Sequence, residues 1–235
     1  MGDIVTMDDL TNQEIVAVLD DAERLVPVAR GDVYLPLLQG KVLANMFFEN
    51  STRTRMSFET AMKRLGGSVL NFTSVGTSVA KGETLYDTMQ MIDGYADVAA
   101  IRHPRQGAAQ YSADAVEIPI LNAGDGAGNH PTQTMLDLFT IRQAHGTLEG
   151  LNVVLVGDLR YGRTVHSLSH ALVRFGAKLT LVSPSTLKMP VEIVSDLREH
   201  GSEIMETESL EDQIAGADVI LSLIHISEPT RPLRI

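Results

Sequence analysis

Val42-Leu43-Ala44-Asn45-Met46-Phe47-Phe48-Glu49-Asn50-Ser51-Thr52-Arg53-Thr54-Arg55 is the stretch on which the fold turns. Residues 42–48 are almost wholly apolar, and the run is short and lacks polar alternation, so it reads as a strand buried on both faces. Glu49-Asn50-Ser51-Thr52 then supplies polar and capping groups, and Phe58, Ala61, Met62 and Leu65 recur at helical spacing up to Gly66-Gly67. A strand, a tight turn and a helix in succession form the repeating unit of a parallel sheet clothed by helices.

The same alternation extends in both directions. Upstream, Thr11 and Glu14 form a capping box ahead of Ile15, Val18, Leu19, Ala22 and Leu25, which predicts a surface helix. Downstream, strands are expected over 69–72, 98–101 and 118–121, with an exposed Ser/Thr/Gly loop over 73–82 and a helix over 83–95. A further helix over 133–145 precedes Gly146-Thr147-Leu148-Glu149-Gly150, which interrupts the pattern. A second series follows, with strands over 153–156, 179–182 and 219–221 and helices over 165–175 and 191–200. The expected fold class is α/β, as two three-layer α/β/α domains with mostly parallel sheets. The first spans 1–145, and the second, over 146–221, is incomplete. Residues 222–235 contain Pro229 and Pro232 and follow neither a helix nor a strand period, so they read as a tail foreign to this organisation.

Composition narrows the functions available. The chain has 235 residues, 44% of them hydrophobic, enough for a substantial core. It has no cysteine, which excludes disulfides, thiolate metal sites and a cysteine nucleophile. A formal charge of -11 opposes nonspecific adhesion to nucleic acid or to anionic membrane, so no nucleic acid or membrane partner is expected. Any anion site must therefore be a local basic pocket. Five lysines stand against fourteen arginines, an acidic, lysine-poor balance compatible with a salt-rich cytoplasm. No apolar run approaches the roughly 18 residues of a membrane span. Asp3, Asp8 and Asp9 stand where a signal peptide would be basic, and a soluble cytoplasmic protein is expected.

A basic pocket is available at the strand ends. Ser51, Thr52, Arg53, Thr54 and Arg55 combine hydroxyls, guanidiniums and the free N–H groups of a first helical turn, a set suited to a phosphate dianion. Lys81, Arg102-His103 and His130-Pro131-Thr132-Gln133 recur at comparable junctions, and together they predict a polyanion site over one sheet edge. Other motifs carry less. Gly157-Asp158-Leu159-Arg160-Tyr161-Gly162-Arg163-Thr164 lacks the glycine spacing of a dinucleotide loop and has Arg163 where a P-loop has lysine. His166 and His170 are four apart on a predicted helix, but Ser167 stands where a zinc-protease motif has glutamate, and both read as ordinary helix histidines.

These motifs jointly resemble the aspartate/ornithine carbamoyltransferase family, most closely its aspartate branch, from the N-terminus to about Leu221. The resemblance rests on Phe47–Arg55, Lys81-Gly82-Glu83-Thr84, Arg102-His103-Pro104, His130-Pro131-Thr132-Gln133 and the segment from Gly157 to Ser167. It implies transfer of a carbamoyl group from carbamoyl phosphate to the α-amine of L-aspartate in pyrimidine biosynthesis, with neither a cofactor nor a metal. Ser51, Thr52, Arg53, Thr54 and Arg102 match phosphate contacts. Thr54, Arg102 and His130 match groups around the carbamoyl carbonyl, and Gln133 the group near its amino nitrogen. Arg163 matches a grip on an aspartate carboxylate. Ser78 and Lys81 match a loop that enters a neighbouring subunit's site, with Lys81 also reaching aspartate, which implies a homotrimer, to which regulatory chains can add in a larger assembly. Ornithine carbamoyltransfer, and a binding or assembly chain without catalysis, are the alternatives. Beyond Leu221 the family's aspartate-binding loop and returning helix have no counterpart in residues 222–235, so little or no turnover is expected of this chain.

Overall fold

The computed structural model of the chain describes residues 2–73, 82–126 and 128–223. Two compact units divide the chain, Met1–Gly146 and Thr147–Ile235. In the first, strands β1 (Val42–Phe47), β2 (Ser68–Thr73), β3 (Val98–His103) and β4 (Ile120–Asp125) pair in parallel in the order β2-β1-β3-β4. Its helices are α1 (Asn12–Arg30), α2 (Arg53–Arg64), α3 (Leu85–Asp93), α4 (Ala108–Ala113) and α5 (Pro131–His145).

The two-residue period of the strands decides which helix covers which face. Ala44 and Met46 of β1 and Ala99 and Ile101 of β3 point into a core shared with Met89 and Ile92 of α3 and Ala109 of α4. Their neighbours Leu43 and Ala100 face the other way, against Met62 and Phe58 of α2. Each unbroken apolar strand therefore serves two cores, which is why it shows no polar alternation. Before α1, the N–H of Ile4 donates to Ile120 O at 2.8 Å and Ile4 O accepts from Asn122 at 2.9 Å, adding an isolated parallel bridge beside β4.

Three expectations for this unit need correction. The fourth strand lies over Ile120–Asp125 rather than 118–121, because its polar residues are satisfied inside the fold. Asn122 Nδ2 donates to Val5 O at 2.9 Å, and Asp125 Oδ1 and Oδ2 accept from Asn129 N and Gly107 N at 2.7 and 2.8 Å. Helix α3 begins at Leu85 rather than 83, since the Thr84 hydroxyl accepts from Asp87 N and caps it. Helix α4 was not expected at all.

In the second unit, β5 (Asn152–Val156), β6 (Lys178–Val182), β7 (Ile204–Thr207) and β8 (Val219–Ser222) form a parallel sheet in the order β7-β6-β5-β8. Its helices are α6 (Arg163–Arg174), α7 (Val191–Glu199) and α8 (Glu211–Ile214). Val154, Val156 and Val182 pack together with Leu210 and Ala217, and Leu168 and Leu172 of α6 are wholly buried. The sequence reading missed β7 and α8. Strand β8 continues to Ser222, opposite Val156, and Leu223 N donates to Val156 O at 2.8 Å, so the first residues of the 222–235 stretch extend this sheet. Residues 224–235 lie outside the described residues. Among the described residues no helix is long and apolar enough to cross a membrane.

Candidate active site

The first sheet reverses its winding between β1 and β3: the chain passes from β1 to β2 on one side and later builds β3 and β4 on the other. The carboxyl ends of two strands flanking such a reversal open a crevice where ligands bind in this architecture. Ser51 and Thr52 follow β1, and Arg102 stands near the end of β3. Phe48 N donates to Arg102 O at 2.8 Å, and Arg102 Nε donates to Glu49 Oε1 at 2.6 Å, so backbone and side chain both tie the two strand ends together. The Arg102 side chain is only 13% exposed, and in that setting the Glu49 carboxylate also compensates a charge removed from water.

Phe47, Phe48, Glu49, Asn50, Ser51, Thr52, Arg55 and Thr73 line a pocket of about 240 Å³ beside these strand ends. Arg53 is the first residue of α2 and is exposed; Thr54 follows it, half-buried. Thr52 precedes the helix without a side-chain capping bond, unlike Thr11, whose hydroxyl accepts from Glu14 N before α1. The first turn of α2 therefore keeps N–H groups that its own sequence does not cap.

Arg102 and His130 both approach Gly124. This glycine has φ 119°, and a Cβ there would lie 3.4 Å from Arg102 Nη1 and 3.5 Å from His130 Cδ2. A backbone at this φ is readily held only by a residue without a side chain, and both groups stand at van der Waals distance from the face it leaves open. Arg102 Nη1 also donates to Ala123 O at 3.3 Å. His130 is buried, occupies the N-cap position of α5 ahead of Pro131 without a side-chain capping bond, and has Thr132 Oγ1 at 3.3 Å from its Nδ1. Gln133 lies in the first turn of the same helix, where its Nε2 donates to Asp137 Oδ1 at 3.1 Å. Nearby His103 packs on Phe48 and accepts from Arg105 N at Nδ1; burial, then the Arg105 charge, holds its pKa below the usual histidine value.

The structure thus gathers the 51–55 segment, Arg102, His130 and Gln133 at the strand and helix ends of one unit. Arg163 lies in the other unit, as the first residue of α6 after β5, also beside a reversal of winding, between β5 and β8. Ser78 and Lys81 lie outside the described residues. His166 Nε2 is 2.8 Å from Leu159 O, and His170 Nδ1 is 3.2 Å from Asp196 Oδ2. Sequence reasoning did not single out Glu49 as the partner of Arg102, Asp125 as the tie between the loops after β3 and β4, or Asp137 behind Gln133. Glu49 stood within the 47–55 motif, whereas nothing in the sequence alone marked Asp137.

Comparison with known proteins bears on this arrangement. Residues 2–143 match the family described as aspartate/ornithine carbamoyltransferase, carbamoyl-P binding domain, and residues 149–229 match its Asp/Orn binding domain. The aspartate carbamoyltransferase catalytic subunit of Methanococcoides burtonii is 53% identical over 218 residues, covering 92% of this chain and 70% of that protein. That of Methanothermobacter thermautotrophicus is 51% identical over the same length, with the same coverage. Among solved structures, the catalytic subunit of M. jannaschii aspartate transcarbamoylase superposes with a TM-score of 0.89 at 46% identity, covering 94% of this chain and 73% of that one. Aspartate transcarbamoylase from Trypanosoma cruzi in complex with carbamoyl phosphate and aspartate gives 0.89 at 41% identity, covering 94% and 76%. With both domain patterns matched in order and relatives above 50% identity, the chain belongs to the aspartate/ornithine carbamoyltransferase family.

Proposed function

We propose that the crevice after β1 and β3 binds carbamoyl phosphate and that the chain transfers its carbamoyl group to the α-amine of L-aspartate, releasing phosphate. The observation that carries this reading is the union of a phosphate-type helix start with Arg102 and His130 both held beside Gly124. Ser51, Thr52, Arg53 and Thr54 receive the phosphate, whose dianion is favoured by the first-turn N–H groups and the guanidinium. Attack by the neutral amine converts the planar carbonyl into a tetrahedral centre and places charge on its oxygen. Thr54, Arg102 and His130 act as donors to that oxygen, and such donors are more effective for the developing oxyanion than for the ground state. Thr132 Oγ1 stands 3.3 Å from His130 Nδ1, so the ring tautomer with its proton on Nε2, which an oxyanion donor requires, would accept the Thr132 hydroxyl at Nδ1. Gln133 accepts from the carbamoyl amino group, and Arg53 and Arg102 offset the charge of the departing phosphate.

Arg163 supplies a planar fork for one aspartate carboxylate, which favours a dicarboxylate over the cationic side chain of ornithine. Ser78 and Lys81 reach a neighbouring subunit's site within a homotrimer, which is open to regulatory chains, and the reaction takes place in the cytoplasm. Phosphate release from carbamoyl phosphate, followed with aspartate or ornithine as acceptor, tests the reading. Release that depends on aspartate and not on ornithine is expected, at however slow a rate; release that depends on ornithine overturns it.

A further inference from the structure

Asp137 lies one turn beyond Gln133 on α5, where its Oδ1 accepts from Gln133 Nε2, and its other oxygen is buried without a hydrogen-bond partner among the described residues. Several charged groups on the elements packed against α5 are engaged elsewhere. Asp20 and Glu23 of α1 pair with Arg142, Arg24 pairs with Asp21, and Asp125 at the end of β4 accepts from Gly107 and Asn129. No cation pairs with Asp137 among the described residues. Burial, opposed by the Gln133 hydrogen bond, pushes its carboxyl up to about 6. A partly buried carboxyl with one unsatisfied oxygen is costly, whereas one i,i+4 side-chain pair returns only about 0.2–0.5 kcal/mol to a helix. Stability alone therefore gives no reason for an acid at this position.

We propose that Asp137 is a positioning residue for Gln133, accepting an Nε2 hydrogen so that the amide keeps Oε1 toward the site as an acceptor for the amino group of carbamoyl phosphate. An unanchored amide can present either end, and its NH₂ end would meet the ligand's NH₂ as donor against donor. This inference rests on the carbamoyl phosphate reading above, so its test must separate recognition of the amino group from recognition of the phosphate. Acetyl phosphate, with a methyl group in place of the amino group, makes that separation.

Calorimetry with carbamoyl phosphate, acetyl phosphate and inorganic phosphate, on the full chain and on Asp137→Leu and Asp137→Asn, provides the measurement. The unsubstituted chain is expected to prefer carbamoyl over acetyl phosphate. Asp137→Leu is expected to reduce that preference by about five- to tenfold, the worth of one hydrogen bond, with inorganic phosphate affinity unchanged. Asp137→Asn, whose amide oxygen still accepts from Gln133, keeps the preference. Full preference in a folded Asp137→Leu chain would overturn the proposal. Equal binding of carbamoyl and acetyl phosphate by the unsubstituted chain would overturn it too, while leaving the phosphate site standing. No binding of any of the three ligands would remove the site reading itself. Should Asp137→Leu fail to fold, the Gln133 side-chain amide signals in nuclear magnetic resonance decide: they are expected to shift with a midpoint near pH 6 in the unsubstituted chain and to stay flat in Asp137→Asn. A flat titration in both chains contradicts the proposal.

Discussion

Gly124 concentrates the site in one backbone conformation. At φ 119° a side chain is strained in its own right, while its Cβ would only reach van der Waals contact with Arg102 and His130. Gly124→Ala is therefore expected to cost about 1–3 kcal/mol in denaturant unfolding, the usual penalty of a disfavoured backbone. It should also weaken carbamoyl phosphate binding, because relaxing the strained backbone shifts the strand end beside which Arg102 is held by its bonds to Glu49 and Ala123. Unchanged stability and affinity would mean that the glycine only fills a turn. Arg102 and His130 were legible in the sequence as charged or polar groups at strand ends. The glycine beside them was not, because close approach at a strand end leaves no mark on local sequence.

At the scale of elements, α1 and α2 both follow a threonine, yet only α1 is capped by it. Thr11→Ala removes a complete capping box and should cost about 0.5–2 kcal/mol. Thr52→Ala removes no such bond and should leave stability nearly unchanged while lowering phosphate affinity. Equal losses of stability in the two variants, measured by urea unfolding, would contradict this division of roles. Helix α5 carries a pH-dependent contribution through Asp137. Its carboxyl sits at about 6 in the fold against 3.8 in the unconstrained group, so the fold favours the neutral acid. That stability is fully present below about pH 4 and is lost as pH rises through 6. Asp137→Asn should accordingly gain stability relative to the unsubstituted chain between pH 4 and 7, and a constant difference would refute the titration. The capping box of α1 and the apolar run of β1 were readable because their signals are local. Strand β4 was misplaced because Asn122 and Asp125 look like turn residues until Val5 and Gly107, farther off in sequence, and the nearby Asn129 satisfy them. Strand β7, over Ile204–Thr207, has no fully buried residue and lacked the apolar run by which the other strands were found.

For the whole molecule, two α/β units in series follow from the repeated strand and helix alternation, and each reverses its winding beside a predicted site segment. Assembly is the least local property and the least legible, since the sequence around Ser78 and Lys81 has no periodic pattern. If Lys81 completes a neighbour's site, mixing Lys81→Ala chains with Arg53→Ala chains should recover phosphate release that neither variant shows alone. Verified exchange without recovery would contradict cross-subunit action. The account stands most directly on the claim that the start of α2 holds the phosphate of carbamoyl phosphate in a chain whose net charge is -11. Titration calorimetry of carbamoyl phosphate into the unsubstituted chain and into Arg53→Ala tests it. Arg53 is exposed, so the substitution should leave the unfolding midpoint in place, while loss of a charge-assisted contact should weaken binding by about 1.5–3 kcal/mol. Equal affinity in the two chains, with both folded, would contradict the account.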